Sequence, residues 1–151
     1  MPKIDLSDCP TVTGTRYPEP YREPCINRTK WRLGDAVGLT QFGVNLLHLE
    51  PGSWSAQRHW HEREDEFILV LEGEVMLVED GGETLLKAGD YAGFKAGIPN
   101  GHHLCNRSEE RAVILEVGTR SSEREIAHYP DIDMLYDSAI PGFVRKNGQP
   151  F

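Results

Sequence analysis

Residues 58–77 read RHWHEREDEFILVLEGEVML. The first half is charged and carries two histidines one residue apart; the second is apolar and broken once, at Gly73. Residues i and i+2 of a strand share a face, so His59 and His61 point one way and Trp60 the other. Glu66 opens the apolar run after the bend Glu62–Asp65, which can fold it back beside the histidines. Two imidazoles and a carboxylate on one face suit a divalent transition metal better than calcium or magnesium, which take oxygen ligands. The plain alternative is a polar strand rim, with Glu64 and Asp65 as solvated bend residues and Arg58 on the surface.

The strand pattern continues on both sides. FGVNLLHLE (42–50) runs into the turn PGS, GG at 81 and 82 marks a hairpin, and ETLLKAGDYAGF (83–94) and AVILEVG (112–118) alternate in the same manner. Short strands about ten residues apart, with Gly, Pro or Asn between them, predict an all-β sandwich or barrel. DIDMLYDSA (131–139) is expected to form a short helical turn, and GFVRKNGQPF (142–151) a last strand or ordered tail. Gly73 and Gly101 sit at tight connections where a side chain would be strained or crowded.

Pro2, Pro10, Pro18, Pro20 and Pro24 make up half of the chain's ten prolines, so the N-terminal segment cannot be helical. Tyr17, Tyr21 and Trp31 are nonetheless large apolar groups, and an extended arm lying on the barrel or on a second copy is expected. A homodimer follows from that reading.

A chain of 151 residues is long enough for one domain with its own core. A formal net charge of −8 argues against a general nucleic-acid or anionic-membrane binder. No run approaches the roughly 18 apolar residues of a membrane span, and the first residues lack a basic-then-apolar leader pattern. Cys9, Cys25 and Cys105 form no CxxC pair and read as reduced cytoplasmic thiols. Cys105 is expected to be buried, and His48 and His128 to be structural. Trp54 and Trp60 are expected in the barrel wall, and Asp131 and Asp133 in tail packing. Ser55 and Gln57 share the face of His59 and are candidate polar groups of a pocket. Glu74, Tyr91 and Lys95 lie on nearby strands with no assigned direction.

A further histidine would strengthen the metal reading, and GFKAGIPNGHHLCN (93–106) offers His102 and His103. Here the sequence resembles the cupin family. Gly52, His59-x-His61, Glu66 and Gly73 are similar to its first motif; Gly93, Pro99-x-Gly101, a histidine and Asn106 are similar to its second. The usual second motif places two residues between Pro-x-Gly and the histidine, and that position is Leu104 here. Counting back from Asn106 gives His102, with Leu104 and Asn106 inward; a register one residue later turns His103 and Cys105 inward instead.

The resemblance implies a double-stranded β-helix, or jelly-roll, barrel over residues 41–118. A Pro-rich arm over 1–40 and a tail over 119–151 would pack on it. It also implies one divalent transition metal ion per chain (zinc, iron, manganese or nickel) held by His59, His61, Glu66 and His102. The expected partner is a small oxygen-rich molecule such as a sugar phosphate or organic acid. Isomerase, decarboxylase and dioxygenase chemistry all fit that site, as does a non-catalytic binding or sensing role.

Overall fold

Thr11–Thr13 (β1) pairs antiparallel with Arg28–Arg32 (β2), which pairs in turn with Phe42–Leu49 (β3). The proline-rich segment thus supplies the outer strands of a sheet. Pro18, Pro20 and Pro24 fall in the connection between β1 and β2, where a missing N–H interrupts no ladder. The four residues Leu33–Ala36 (α1) form a single helical turn between β2 and β3. The computed structural model describes residues 3–121 and 123–151; Met1, Pro2 and Ser122 lie outside the described residues.

The quoted stretch becomes Trp60–His61 (β4), Glu66–Glu72 (β5) and Glu74–Glu79 (β6). Gly82–Lys87 (β7), Tyr91–Phe94 (β8), His103–Cys105 (β9) and Ala112–Thr119 (β10) complete the barrel strands. Ile126–Tyr129 (β11), Met134–Asp137 (β12) and Phe143–Val144 (β13) follow. Three antiparallel sheets result, ordered β1-β2-β3-β10-β5-β8, β13-β12-β11-β4 and β7-β6-β9. The all-β double-stranded β-helix is the observed fold. No helix among the described residues is long and apolar enough to cross a membrane.

The C-terminal segment corrects one expectation. Residues 134–137 are a strand, not a helical turn: β12 pairs with β11 on one side and β13 on the other, burying Met134 and Asp137. Ladder pairing on both edges outweighs a local preference that so short a segment expresses only weakly. The arm aromatics also find neighbours within the chain. Tyr17 is 8% exposed and packs against Tyr129 and Phe143, Tyr21 meets Phe151, and Trp31 meets His48. The surfaces that suggested a homodimer are therefore partly used inside one chain.

The core lies between the main sheet and the β6–β9 sheet. Leu47, Leu49, Val70, Val75, Ala112 and Ile114 are at most 1% exposed. Each large aliphatic there contributes about 1.5–3 kcal/mol by leaving water. Gly73 joins β5 to β6 at φ +75°, and a Cβ there would lie 2.7 Å from the Arg111 carbonyl oxygen, so only glycine fits. At Gly101 a Cβ would meet Pro130 Cγ at 2.8 Å.

The register of the main sheet places the site. Across β3 and β10, Leu49 faces Ala112 and Leu47 faces Ile114; then Asn45 faces Glu116 and Gly43 faces Gly118. Across β10 and β5, Val70 faces Ile114, Ile68 faces Glu116 and Glu66 faces Gly118. One face therefore changes from aliphatic to polar along its length. The opposed Gly43 and Gly118 line the cavity beside Glu66, with the Arg120 side chain against Gly43.

Candidate metal centre

His59 and His61 stand on the short edge strand around β4. Its partner is β11, with Ala127 opposite His61 and His128 opposite Trp60. On its other side, His59 forms an isolated antiparallel bridge with His102: His59 N–H donates to the His102 carbonyl at 3.2 Å, and His102 N–H to the His59 carbonyl at 2.9 Å. Directly opposed residues project to the same face, so the His102 ring joins His59.

The three rings are oriented alike. Nδ1 of His59 lies 2.8 Å from the Gln57 carbonyl oxygen, that of His61 3.2 Å from Glu125 Oε1, and that of His102 3.3 Å from the Asn100 carbonyl oxygen. Each is an acceptor, which favours a proton on Nδ1 and leaves Nε2 to face inward. The inward nitrogens gather around one carboxylate oxygen: Glu66 Oε2 is 3.8 Å from Nε2 of His59, 3.6 Å from that of His61 and 2.8 Å from that of His102. Ligand atoms of His59, His61 and Glu66 all fall within 4.8 Å of one another.

The distances to Glu66 Oε2, 2.8 to 3.8 Å, bracket those between donors on a common cation, and His102 stands outside the group of His59, His61 and Glu66 whose donor atoms lie within 4.8 Å of one another. Donors about 2 Å from one ion sit about 3 to 3.5 Å apart. His102 offers a second argument, because its ring has an acceptor against both nitrogens. A bare nitrogen and a carboxylate oxygen at 2.8 Å repel unless a proton or metal lies between them. Burial pushes the His59 imidazole down to about 3, so it stays neutral and available as a donor. Burial alone would raise Glu66, but the hydrogen bond with His102 and the neighbouring imidazoles outweigh it and hold the carboxyl below its usual range. Three imidazoles and a carboxylate are the donor set of a borderline transition metal.

Neighbouring side chains keep the rings in place. Phe94 stacks on His102 with centroids 3.6 Å apart and planes 2° from parallel, and Tyr129 stacks on His59 at 5.7 Å. Arg58, expected on the surface, is instead a tie: it pairs with Asp80 and Asp131 and donates to the Gly101 carbonyl. Asp131 is thereby engaged by both Arg58 Nε and one terminal guanidinium nitrogen.

His103 points to the opposite face, its Nδ1 at 2.9 Å from the Ala56 carbonyl oxygen and its ring against Trp54. It is not solvent-facing; only 6% is exposed, and burial lowers its pKa. Cys105 is a buried free thiol pushed up to about 11 by desolvation. Ser55 and Gln57 are buried and occupied, with Ser55 Oγ accepting from Leu104 N–H and Gln57 donating to the Tyr21 carbonyl. Trp60 stacks on His128, which pairs with Glu62. Asp65 accepts from Ala96 N–H and Glu64 from Ser121 N–H. Tyr91 and Lys95 are exposed.

Sequence reasoning missed two features. The cavity of about 460 Å³ that holds the three histidines and Glu66 is also lined by Arg28, Lys30, Asn45 and Glu116. Lys30 Nζ lies 2.7 Å from Glu116 Oε2, with side chains 28% and 20% exposed. No local pattern joins these residues, because β2 and β10 meet only through β3. The second is Glu125, 3% exposed and 64 positions from the histidine it touches.

A family description, the cupin domain, matches residues 45–118. A structure from Silicibacter pomeroyi, titled a sugar phosphate isomerase from a cupin superfamily, superposes with a TM-score of 0.92 at 46% identity, covering 99% of this chain and 96% of its own. A protein of Acidithiobacillus ferrooxidans, given only provisionally as a sugar phosphate isomerase, superposes with a TM-score of 0.69 at 31% identity, over 81% of this chain and 72% of that one. Quercetin 2,3-dioxygenase of Bacillus subtilis is 44% identical over 46 residues, which are 30% of this chain and 14% of that enzyme.

Proposed function

This chain belongs to the cupin superfamily, and on that premise we propose that it is a metal-dependent enzyme acting on a small oxygen-rich metabolite, a sugar phosphate or organic acid. His59, His61, His102 and Glu66 would hold one divalent transition metal. The observation that carries the reading is the convergence of three Nε2 atoms on one Glu66 oxygen, each ring backed by an acceptor at Nδ1.

A metal bound there supplies Lewis acidity toward a substrate carbonyl, carboxylate or hydroxyl. The chain's own groups do the rest. A cavity of about 460 Å³ suits a small metabolite. Lys30 and Glu116 place a donor and an acceptor on the wall beside Glu66, where a polyol or carboxylate finds partners. An ion pair inside a barrel is a poor stability device, since a packed apolar pair often does as well, and its presence on a cavity wall supports a ligand-facing role. The 46% identical neighbour favours isomerisation of a sugar phosphate among the chemistries open to such a site.

Metal analysis of untagged protein, paired with assays on aldose and ketose phosphates, tests this. About one metal per chain, lost together with turnover in His59→Ala/His61→Ala, is expected. Stoichiometric metal that survives the double substitution would overturn the assignment.

A further inference from the structure

Glu125 is a buried carboxylate, 3% exposed, at the start of the C-terminal strands and beyond the region matched by the cupin domain. A buried carboxylate is tolerated only where donors surround it. Glu125 has three. Oε1 accepts from the Glu62 backbone N–H at 3.0 Å, Oε2 from the Arg63 backbone N–H at 2.9 Å, and Oε1 faces His61 Nδ1 at 3.2 Å. The Glu62 N–H is shared with the Ile126 carbonyl at 3.0 Å, just past the β4–β11 pairing in which Ala127 faces His61. The main chain is held too: Glu125 N–H donates to Ser138 Oγ, and Ser138 N–H donates to the Glu125 carbonyl.

We propose that Glu125, carried by the C-terminal segment, is a positioning residue of the metal centre: it holds His61 as the Nδ1–H tautomer and so keeps Nε2 bare toward Glu66. Both Glu125 oxygens already accept from backbone N–H groups and so present acceptors to the ring, which favours a proton on Nδ1. The same contact fixes the ring plane and raises the basicity of the opposite nitrogen. The consequence for metal binding rests on the reading of His59, His61, His102 and Glu66 as ligands; the tautomer does not.

A competing use of the same atoms is a second cation site, since donor atoms of His61, Glu64 and Glu125 lie within 4.8 Å of one another. The hydrogen bonds argue against it. Glu64 already accepts from Ser121 N–H at 2.8 Å, and both Glu125 oxygens accept from backbone N–H groups. The cluster is supplied with protons, and the free imidazole nitrogen lies on the other side.

The test uses the full chain labelled with 15N-histidine, stripped of metal and held at pH 8. Two-bond proton–nitrogen spectra report the tautomer, and zinc titration reports affinity and stoichiometry. Wild type is expected to show His61 protonated on Nδ1 and to bind one zinc. Glu125→Ala is expected to mix the tautomers and weaken zinc binding by about 10- to 100-fold. Glu125→Gln keeps an acceptor oxygen and is expected to retain the Nδ1–H tautomer, with affinity between the two. An Nε2–H His61 in the wild type overturns the proposal without recourse to any variant. Unchanged zinc affinity in a folded Glu125→Ala protein overturns it as well, and two zinc ions per chain favour the competing site. A wild type that binds no zinc removes the metal reading and leaves the tautomer result standing.

Discussion

His59 and His102 exchange both backbone hydrogen bonds across an isolated antiparallel bridge, at 3.2 and 2.9 Å. Residues opposed in this way project to one side, so this pair decides which of two adjacent histidines faces Glu66. Its neighbour His103 goes to the opposite face, against Trp54.

His102→Ala should therefore lose most of the bound metal, while His103→Ala should retain it. The second variant still carries a cost of about 1–3 kcal/mol, because it empties a buried position and leaves the Ala56 carbonyl without its donor. Metal content and melting temperature, measured side by side, check both. Metal lost in His103→Ala and kept in His102→Ala would reverse the register.

Acid should destabilise the metal-free protein in a defined window. His59 falls from an ordinary 6.5 to about 3 in the folded chain through burial. Between those values the unfolded chain binds the extra proton, so stability is full above about 6.5 and declines as the pH falls toward about 3. Glu66, also lowered, adds loss of the same sign below its ordinary 4.5. Thermal melts of chelator-treated protein from pH 7.5 to 4.5 should show the decline, and His59→Asn should flatten its upper part. A pH-independent melting temperature across that range would contradict a buried neutral His59.

Lys30 and Glu116 offer a separation of stability from binding. Replacing both, as Lys30→Met/Glu116→Leu, should change stability by no more than about 1 kcal/mol, whereas Lys30→Met alone strands a carboxylate and should cost more. Metal content should be unaffected in both. A double variant markedly less stable than the single one would make the pair structural.

Tyr17→Ala tests whether the proline-rich segment is integral to the fold. The ring is buried against Tyr129 and Phe143, so its removal should cost about 3–5 kcal/mol, as for other buried aromatics. Denaturant unfolding reads this directly; a loss below about 1 kcal/mol would mean that the segment only rests on the barrel.

The sequence alone determined whatever depends on spacing along one strand. The alternation from Phe42 to Thr119 specified strands, and the i, i+2 rule put His59 and His61 on one face with Glu66 a bend away. The departure at Leu104 was visible, and counting back from Asn106 pointed to His102, but one strand left the alternative of His103 open, because register is a property of two strands and a one-residue slip costs nothing within either. Tertiary structure alone brought Lys30 to Glu116 through the intervening β3, and made β12 a strand by giving it two partners. It also carried Glu125 to His61, across 64 positions of chain. Such contacts leave no periodic trace in the sequence, since they arise from which edges of which sheets meet, and that is settled by burial of the whole core rather than by any local run of residues.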